Sequence, residues 1–374
     1  MSFLGVDSLY EGFQQLVSWL MWLIGDWFWA GVVLDGNEDS WWYWVTEFLT
    51  DNQTVWFFTI LLVCVTVFVG GFLAGLWVIW IERKVLGRMM DRRGTQVGWL
   101  GGFQNFADGI KTLLKEIIIP RDADKKLYTY AVVMILATSV MLLGLIPWSE
   151  FWYAVNVPLA LLLGLAVFSL APFAILIGGW SSNNKYTVIG GMRGAAQLIA
   201  YEVPLLLVVV SIVIMVGSLN FNDIVTWQIE NVWLIAPLIL GCITFFVAGL
   251  AEVERVPFDL PEAEAELVEG WQTEYGGFRW GLIMLCDYVR AYIVALLITV
   301  LFLGGWAGPE PVPPEVWTLI KTFLVFFVMV WVRAAMVRIR TDQILKIGWR
   351  RLMPLAFINL VIVVLIKYYD IGWW

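Results

Sequence analysis

The apolar positions of this chain fall into long unbroken runs rather than into alternating or half-buried helical patterns. Eight runs, 55–81, 128–147, 155–177, 197–217, 232–250, 280–304, 316–337 and 352–369, each hold roughly 18 residues or more. That is enough to cross hydrocarbon at ~1.5 Å rise per residue. The pattern predicts eight transmembrane helices. Between the first two runs the stretch GFQNFADGIKTLLKEII changes period. Phe103, Phe106, Ile110, Leu113, Leu114 and Ile117 recur at helical spacing, with Asp108, Lys111 and Lys115 elsewhere. It reads as an amphipathic helix lying along the membrane surface, against lipid, protein or both.

Polar positions orient the runs. With eight spans, 20 of the 23 Lys and Arg residues fall on one side, ten of them in loop 82–127 and six in segment 333–351. The positive-inside rule places both termini outside and the loop 251–279 inside. Residues 1–54 carry no Lys or Arg. Residues 16–34 are apolar but interrupted by Asp26. They form either an additional span or a Trp-rich interfacial helix, the latter being favoured, and residues 41–44 resemble an interfacial anchor. The domain organisation expected is an N-terminal extension, 1–54, followed by one membrane domain, 55–374.

The loop AEVERVPFDLPEAEAELVEGWQTEY, residues 251–275, is the polar stretch that stands out. It holds eight carboxylates, Glu252, Glu254, Asp259, Glu262, Glu264, Glu266, Glu269 and Glu274, against one base, Arg255. Asp259 is a candidate N-cap with Pro261 in the first turn. A helix starting there carries Glu262, Glu266 and Glu269 on one face, where like charges repel and hold protons near neutrality. The competing reading is a solvated acidic loop. Inside the spans, Glu202 stands about one turn into its run beside Pro204, where a carboxylate costs roughly 2.5–3.5 kcal/mol and calls for a partner or polar cavity. Asp287 and Arg290, three apart, are expected to form a buried ion pair.

Composition narrows the chemistry. The chain is 61% hydrophobic and 14% charged, with mean hydropathy +0.81. Soluble domains carry roughly 25% charged residues, so the class is an all-α polytopic membrane protein. No histidine is present, leaving near-neutral proton chemistry to shifted carboxylates, Lys, Tyr and Cys. Cys64, Cys242 and Cys286 stand singly in three different runs, which indicates neither a zinc site nor an iron–sulfur cluster. The net charge of −8 opposes nucleic-acid binding. Gly190-Gly191-Met192-Arg193-Gly194 follows a span rather than a strand and is a weak nucleotide cradle. A chain without a redox centre can still build a redox site when a partner brings the electrons.

Taken together, the acidic loop, SSNNKYTVIGGMRGAAQLIAYEVPL, the Glu82-Arg83-Lys84 ending of the first span, FADGIKTLLKE and WVRAAMVRIRTDQ resemble the NuoH/NADH dehydrogenase subunit 1 family. This is the membrane subunit of respiratory complex I at the quinone site. The resemblance covers about residues 55–369 in the family's order. It implies that Glu82, Arg83, Asp108, Arg193, Arg333 and Arg338 surround a quinone chamber. It implies that Glu202, Glu252, Glu262, Glu264, Glu266 and Glu274 form an acidic proton-coupling channel. The substrate is then a menaquinone, ubiquinone or similar lipid carrier. Iron–sulfur clusters belong to neighbouring subunits, antiporter-like membrane subunits are further partners, and no redox cofactor is bound by the chain itself. The location implied is the plasma membrane of a prokaryote.

The chain departs from the family pattern in places. Arg93-Gly94-Thr95-Gln96 stands where Arg-Gly-Pro-Asn is usual, Glu252-Val253-Glu254-Arg255 where Glu-Thr-Asn-Arg is usual, and Glu269 where a small residue is common. The loop's tail and the acidic composition are similar to archaeal or deep bacterial members, some of which take electrons from reduced coenzyme F420 or ferredoxin. The alternative is the related membrane component of a membrane-bound hydrogenase-type complex, translocating ions without quinone. An autonomous transporter is disfavoured, since inverted repeats are not evident.

Overall fold

The computed structural model describes residues 52–150, 153–154, 156–261, 264–309 and 312–369. The Trp-rich extension, with segments 16–34 and 41–44, lies outside them apart from its last three residues. The regular secondary structure of the described residues is entirely helical, without strands. The order is α1 (Asn52–Met89), a 3-10 turn (Trp99–Gly101), α2 (Gln104–Leu114), α3 (Lys125–Leu145), α4 (Ala160–Phe168), α5 (Ala171–Ser181), α6 (Lys185–Val216) and α7 (Phe221–Glu230). It continues with α8 (Ile239–Glu252), α9 (Glu264–Leu267), a 3-10 turn (Gly270–Gln272), α10 (Gly277–Phe302), α11 (Pro314–Ala335), α12 (Thr341–Ile347), a π turn (Gly348–Leu352) and α13 (Met353–Tyr368).

Seven stretches are long and apolar enough to cross a membrane: Cys64–Met89, Lys125–Leu145, Ala160–Ser181, Lys185–Val216, Gly277–Phe302, Pro314–Ala335 and Thr341–Tyr368. They correspond to seven of the eight expected runs. The remaining run, 232–250, contains only the 14-residue α8, preceded by turns over 234–238. Pro237 lies in those turns and lacks an N–H to donate, which interrupts the helical ladder there. The run 155–177 is divided at Ser169 and Leu170 between α4 and α5. There the Pro172 ring would crowd the carbonyl of Phe168, and the helix breaks. The helix carrying Glu202 begins at Lys185, capped by the Asn184 side chain accepting from Tyr186 N, so Glu202 lies well inside a 32-residue helix rather than near its start.

α10 is the axis of the bundle. Nearly every side chain from Leu285 to Phe302 is buried, against α1, α3, α8 and α11. α1 is peripheral and turns Leu61, Val65, Phe68, Val69, Phe72 and Leu73 outward, the surface a lipid-facing helix needs. Because lipid is as apolar as the core, close contact rather than hydrophobicity holds such helices together. The glycine-rich 190–194 segment serves that purpose. A Cβ on Gly190 would fall 2.6 Å from Trp271 N, and one on Gly179 of the facing α5 would fall 2.5 Å from Thr187 O.

α2 rests on α1 through Asn105, which is buried and donates to Leu76 O at 2.6 Å. Its apolar side, with Phe103, Phe106, Ile110 and Leu113, stays exposed. The amphipathic expectation holds, with the apolar face not packed on this chain.

The acidic loop takes a different course from the expected helix. α8 ends at Glu252, Glu254 turns the backbone with φ of 55°, and Pro261 lies in a turn. The described part of the helix that follows, α9, is Glu264–Leu267. One oxygen of Asp259, Oδ2, accepts instead from Arg338. Glu269 stands past the end of α9, so it does not share a helical face with Glu266; Glu262 lies outside the described residues.

Candidate functional site

Glu82 lies in the last turns of α1, toward the long loop that follows, and is 3% exposed. Arg255, in the loop after α8, donates from Nη1 to both of its oxygens, at 2.9 and 3.1 Å. Arg333, in the last turn of α11, also donates to Oε1. A lone carboxylate at this depth costs several kcal/mol, and here two guanidiniums answer it. The Arg255 guanidinium also lies over the Tyr288 ring, 4.1 Å from its centroid, a stacking that a lysine would not reproduce.

Next to this node Arg338 Nη2 donates to Asp259 Oδ2 at 2.8 Å. Burial pushes the Asp259 carboxyl above its ordinary value. The bond and charge of Arg338, then the charges of Arg333 and Arg255, pull the other way. The two carboxylates thus share one basic group of three arginines, Arg255 from the acidic loop and Arg333 and Arg338 from the end of α11 and the segment after it.

Further out, Arg83 Nη1 bonds Asp108 Oδ2 at 2.6 Å, both side chains about two fifths exposed. Lys84 Nζ donates to Thr95 O at 2.7 Å and fastens the loop after α1. Arg83 and Asp108 line a cleft of about 150 Å³ between α1, α2 and α10, with Leu76, Asn105, Phe278 and Tyr288. A second cavity of about 620 Å³, almost wholly apolar, lies between α1, the Trp99–Gly101 turn and α11, and shares Leu76 and Asn105 with the first.

Deeper in the bundle the carboxylates gather about Arg290. Its Nη2 donates to Asp287 Oδ1 at 3.2 Å, the pairing expected from their spacing, and Gln272 Nε2 approaches Asp287 Oδ2 at 3.4 Å. Glu252 and Glu254 lie within electrostatic reach of the same guanidinium, and Glu202 within reach of Glu252. Gln197 clamps the loop to α6, donating from Nε2 to Ala251 O at 2.8 Å and Phe258 O at 2.7 Å.

The remaining candidates are arranged otherwise. Arg193 bonds Glu266 at 2.8 Å, joining one residue expected at the chamber to one expected in the channel. Glu274 accepts from Asn184 Nδ2 at 2.6 Å, apart from the Arg290 group. Glu262 and the side chain of Glu264 lie outside the described part of the structure.

The segment from residue 54 to residue 364 matches the model of the family described as NADH dehydrogenase. The chain belongs to that family. Two bacterial relatives, both named as subunits of NADH-quinone oxidoreductase, illustrate the relationship. The one from Geobacillus thermodenitrificans is 45% identical over 296 residues, covering 78% of this chain and 89% of the relative. The one from Bacillus thuringiensis is 47% identical over 294 residues, covering 76% and 87%.

For this NADH dehydrogenase family member, the site reading from sequence missed Arg255, Asp259, Gln197 and Tyr288 as participants. Arg255 was visible as the one base of the acidic loop, and that isolation was its signal. Gln197 and Tyr288 carried no local signal, because their partners come from other parts of the chain.

Proposed function

We propose that the chain is the membrane component of a complex I-type oxidoreductase that passes electrons from NADH, reduced F420 or ferredoxin to a membrane quinone. In this reading the cleft beside Arg83 and Asp108 admits the quinone, and the Glu82, Arg255 and Arg333 node lies at the head of the chamber. The row from Asp287 through Glu252 to Glu202 carries the coupling into the membrane. Membership of the NADH dehydrogenase family and the names of its relatives support the coarse assignment. The observation that carries the finer one is the continuity of charge. Glu82 is bonded to Arg255, and Arg255 also acts electrostatically on Asp287, which pairs with Arg290.

The chemistry fits that continuity. Reduction of a quinone to quinol consumes two electrons and two protons, and the electrons come from a partner's iron–sulfur cluster. Guanidiniums around Glu82 favour the negative charge that arises on the quinone before it is protonated. Drawing a proton or shifting charge at that point changes the proton affinity of the next carboxylate, because buried neighbours interact strongly. The 1–54 extension is assigned to the membrane interface, both termini to the outer side, and the assembly to a prokaryotic plasma membrane alongside iron–sulfur and antiporter-like subunits.

The test is made in the assembled complex in native membranes. Glu202→Gln and Glu252→Gln are each expected to lower quinone-linked turnover and proton pumping by about tenfold or more while an artificial acceptor is still reduced at the wild-type rate. Normal pumping in both variants would overturn the reading. A tight quinone-site inhibitor separates the hydrogenase-type alternative, which would be insensitive to it.

A further inference from the structure

The quinone reading uses the cleft between α1, α2 and α10 and leaves the larger cavity, about 620 Å³, without a role. That cavity has an aromatic floor. The Tyr292 ring of α10 lies 5.9 Å from Trp148 and 6.5 Å from Phe323, and Trp77 of α1 stands edge-on to Phe323 at 4.3 Å. Leu73 and Trp77 line it and are also about half exposed, so it reaches the outward surface of α1. Gly70 lines it too, at a place where a Cβ would meet nothing within 4 Å. The missing side chain keeps the groove open. An apolar void does not hold water, and hydrocarbon inside it would supply the contacts its walls lack.

Its length and its ends say what kind of hydrocarbon. Along α1 it runs from Gly70 to Trp80, about 15 Å at ~1.5 Å per residue, which is the depth of one leaflet of a core ~30 Å thick. At the Glu82 end stand two indoles, Trp80 and Trp99, and Trp80 Nε1 donates to Leu100 O at 3.2 Å. The loop after α1 folds back over this end, so closely that a Cβ on Gly94 would fall 2.7 Å from Arg83 O. Residues 83–104 carry five bases against the single acid Asp91. Asp108 engages Arg83, and Thr95 O engages Lys84, while Arg88, Arg92 and Arg93 are exposed. Basic groups beside membrane helices on the inner side attract anionic headgroups. Asn105, 4% exposed, lines the same end, and its Oδ1 has no hydrogen-bond donor. A hydroxyl of a headgroup would supply one.

We propose that this cavity binds one acyl chain of an anionic, hydroxyl-bearing phospholipid of the phosphatidylglycerol kind, drawn from the inner leaflet. The chain lies along α1 from Trp80 to Gly70, and the phosphate meets Arg88, Arg92 and Arg93. A quinone is neutral and gains nothing from those three bases, so the ligand here differs from that of the cleft. The two sites touch through Leu76 and Asn105, which line both, so the bound chain backs the wall of the cleft. The inference stands whether or not the cleft admits a quinone.

The experiment is photolabelling of the intact complex in vesicles. The probes are phosphatidylglycerol and phosphatidylcholine, each with a diazirine near the end of one acyl chain, and labelled residues are mapped by mass spectrometry. Phosphatidylglycerol is expected to label residues 70–77 and 319–323 several-fold more than the outward Ile358 and Val361 of α13, and several-fold more than phosphatidylcholine does. Gly70→Phe fills the groove and should abolish that excess while labelling of Ile358 and Val361 is unchanged. Arg92→Gln combined with Arg93→Gln should lower phosphatidylglycerol labelling to the phosphatidylcholine level, and decides the matter if Gly70→Phe does not assemble. Equal labelling by the two lipids, or no excess over α13, would mean ordinary boundary lipid and overturns the proposal. So does displacement of the label by a long-tailed quinone, which would make the cavity part of the quinone's path. Labelling that appears only after deletion of residues 1–51 would give the cavity to the chain's own extension, and overturns it as well.

Discussion

Arg255 donates to both oxygens of Glu82 across 173 positions of sequence, and so ties the end of the first membrane helix to the acidic loop. A charged donor on a carboxylate makes a strong and directional bond, and this one is only slightly exposed, 15% at the arginine and 4% at the glutamate. It links the outer cleft to the carboxylates around Arg290 through charged groups.

Removal of Arg255 therefore has a definite cost. Arg255→Met leaves Glu82 with Arg333 alone and strips Tyr288 of its stacked partner. Breaking one side of a buried pair costs about 3–5 kcal/mol. The expected outcome is a large drop in the amount of assembled complex, read by native electrophoresis of membranes. Glu82→Gln should be milder, because the amide oxygen still accepts from the guanidiniums and no negative charge is stranded. Equal abundance of Arg255→Met and wild type would show that the node does not hold the fold.

Asp259 offers a test by pH. Its carboxyl is raised above its ordinary value of 3.8, burial outweighing Arg338. Folding thus disfavours the ionised form. Below about pH 4 the group is protonated folded or unfolded and contributes no such cost; the cost appears as pH climbs through the raised value. Asp259→Asn imitates the protonated acid at every pH. Its thermal midpoint in detergent should match the wild type near pH 4 and exceed it progressively toward neutrality. If instead the wild type gains on the variant as pH rises, Arg338 dominates and the shift has the opposite sign.

What sequence made legible, and what it did not, follows from the range of the interactions. The spans are local facts, runs of apolar residues, and seven of them emerge where expected. The Asp287 and Arg290 pair is equally local, three residues apart on one helix. Glu82 stood out through the family resemblance alone, because its two partners lie 173 and 251 positions away. Asp259 followed by Leu-Pro-Glu has the form of a helix start, and nothing local to it announces that Arg338, 79 positions away, bonds its carboxylate. The glycines at 190 and 191 read only as a weak nucleotide cradle. The surfaces they press on, α5 and residues 270–271, could be seen only in three dimensions.

That close approach carries its own prediction. Gly179→Ala puts a methyl group 2.5 Å from a backbone oxygen of Thr187, and backbone on both sides has little room to yield. Overpacking of this kind costs about 1–3 kcal/mol. The α5–α6 contact should loosen, lowering the complex's thermal midpoint and its abundance in membranes. Gly164→Ala, where a Cβ meets nothing within 4 Å, is the control and should behave as wild type.

The outer pair, Arg83 and Asp108, should separate stability from binding. With side chains 41% and 39% exposed, the 2.6 Å contact is screened by solvent, and exposed pairs are worth about 0–1 kcal/mol. Arg83→Gln and Asp108→Asn, alone and together, should leave abundance and thermal midpoint close to wild type. Both residues line the cleft between α1, α2 and α10, so the proposed quinone path predicts a different result for kinetics. Each single variant should raise the apparent KM for quinone several-fold with a smaller effect on kcat. The double variant should be no worse than the poorer single one, because the two groups act as one unit. Reduction of an artificial acceptor, which bypasses the cleft, should be unchanged in all three. Unaltered quinone KM in every variant would remove the cleft from the quinone's path and leave the pair a surface contact of the α1–α2 junction.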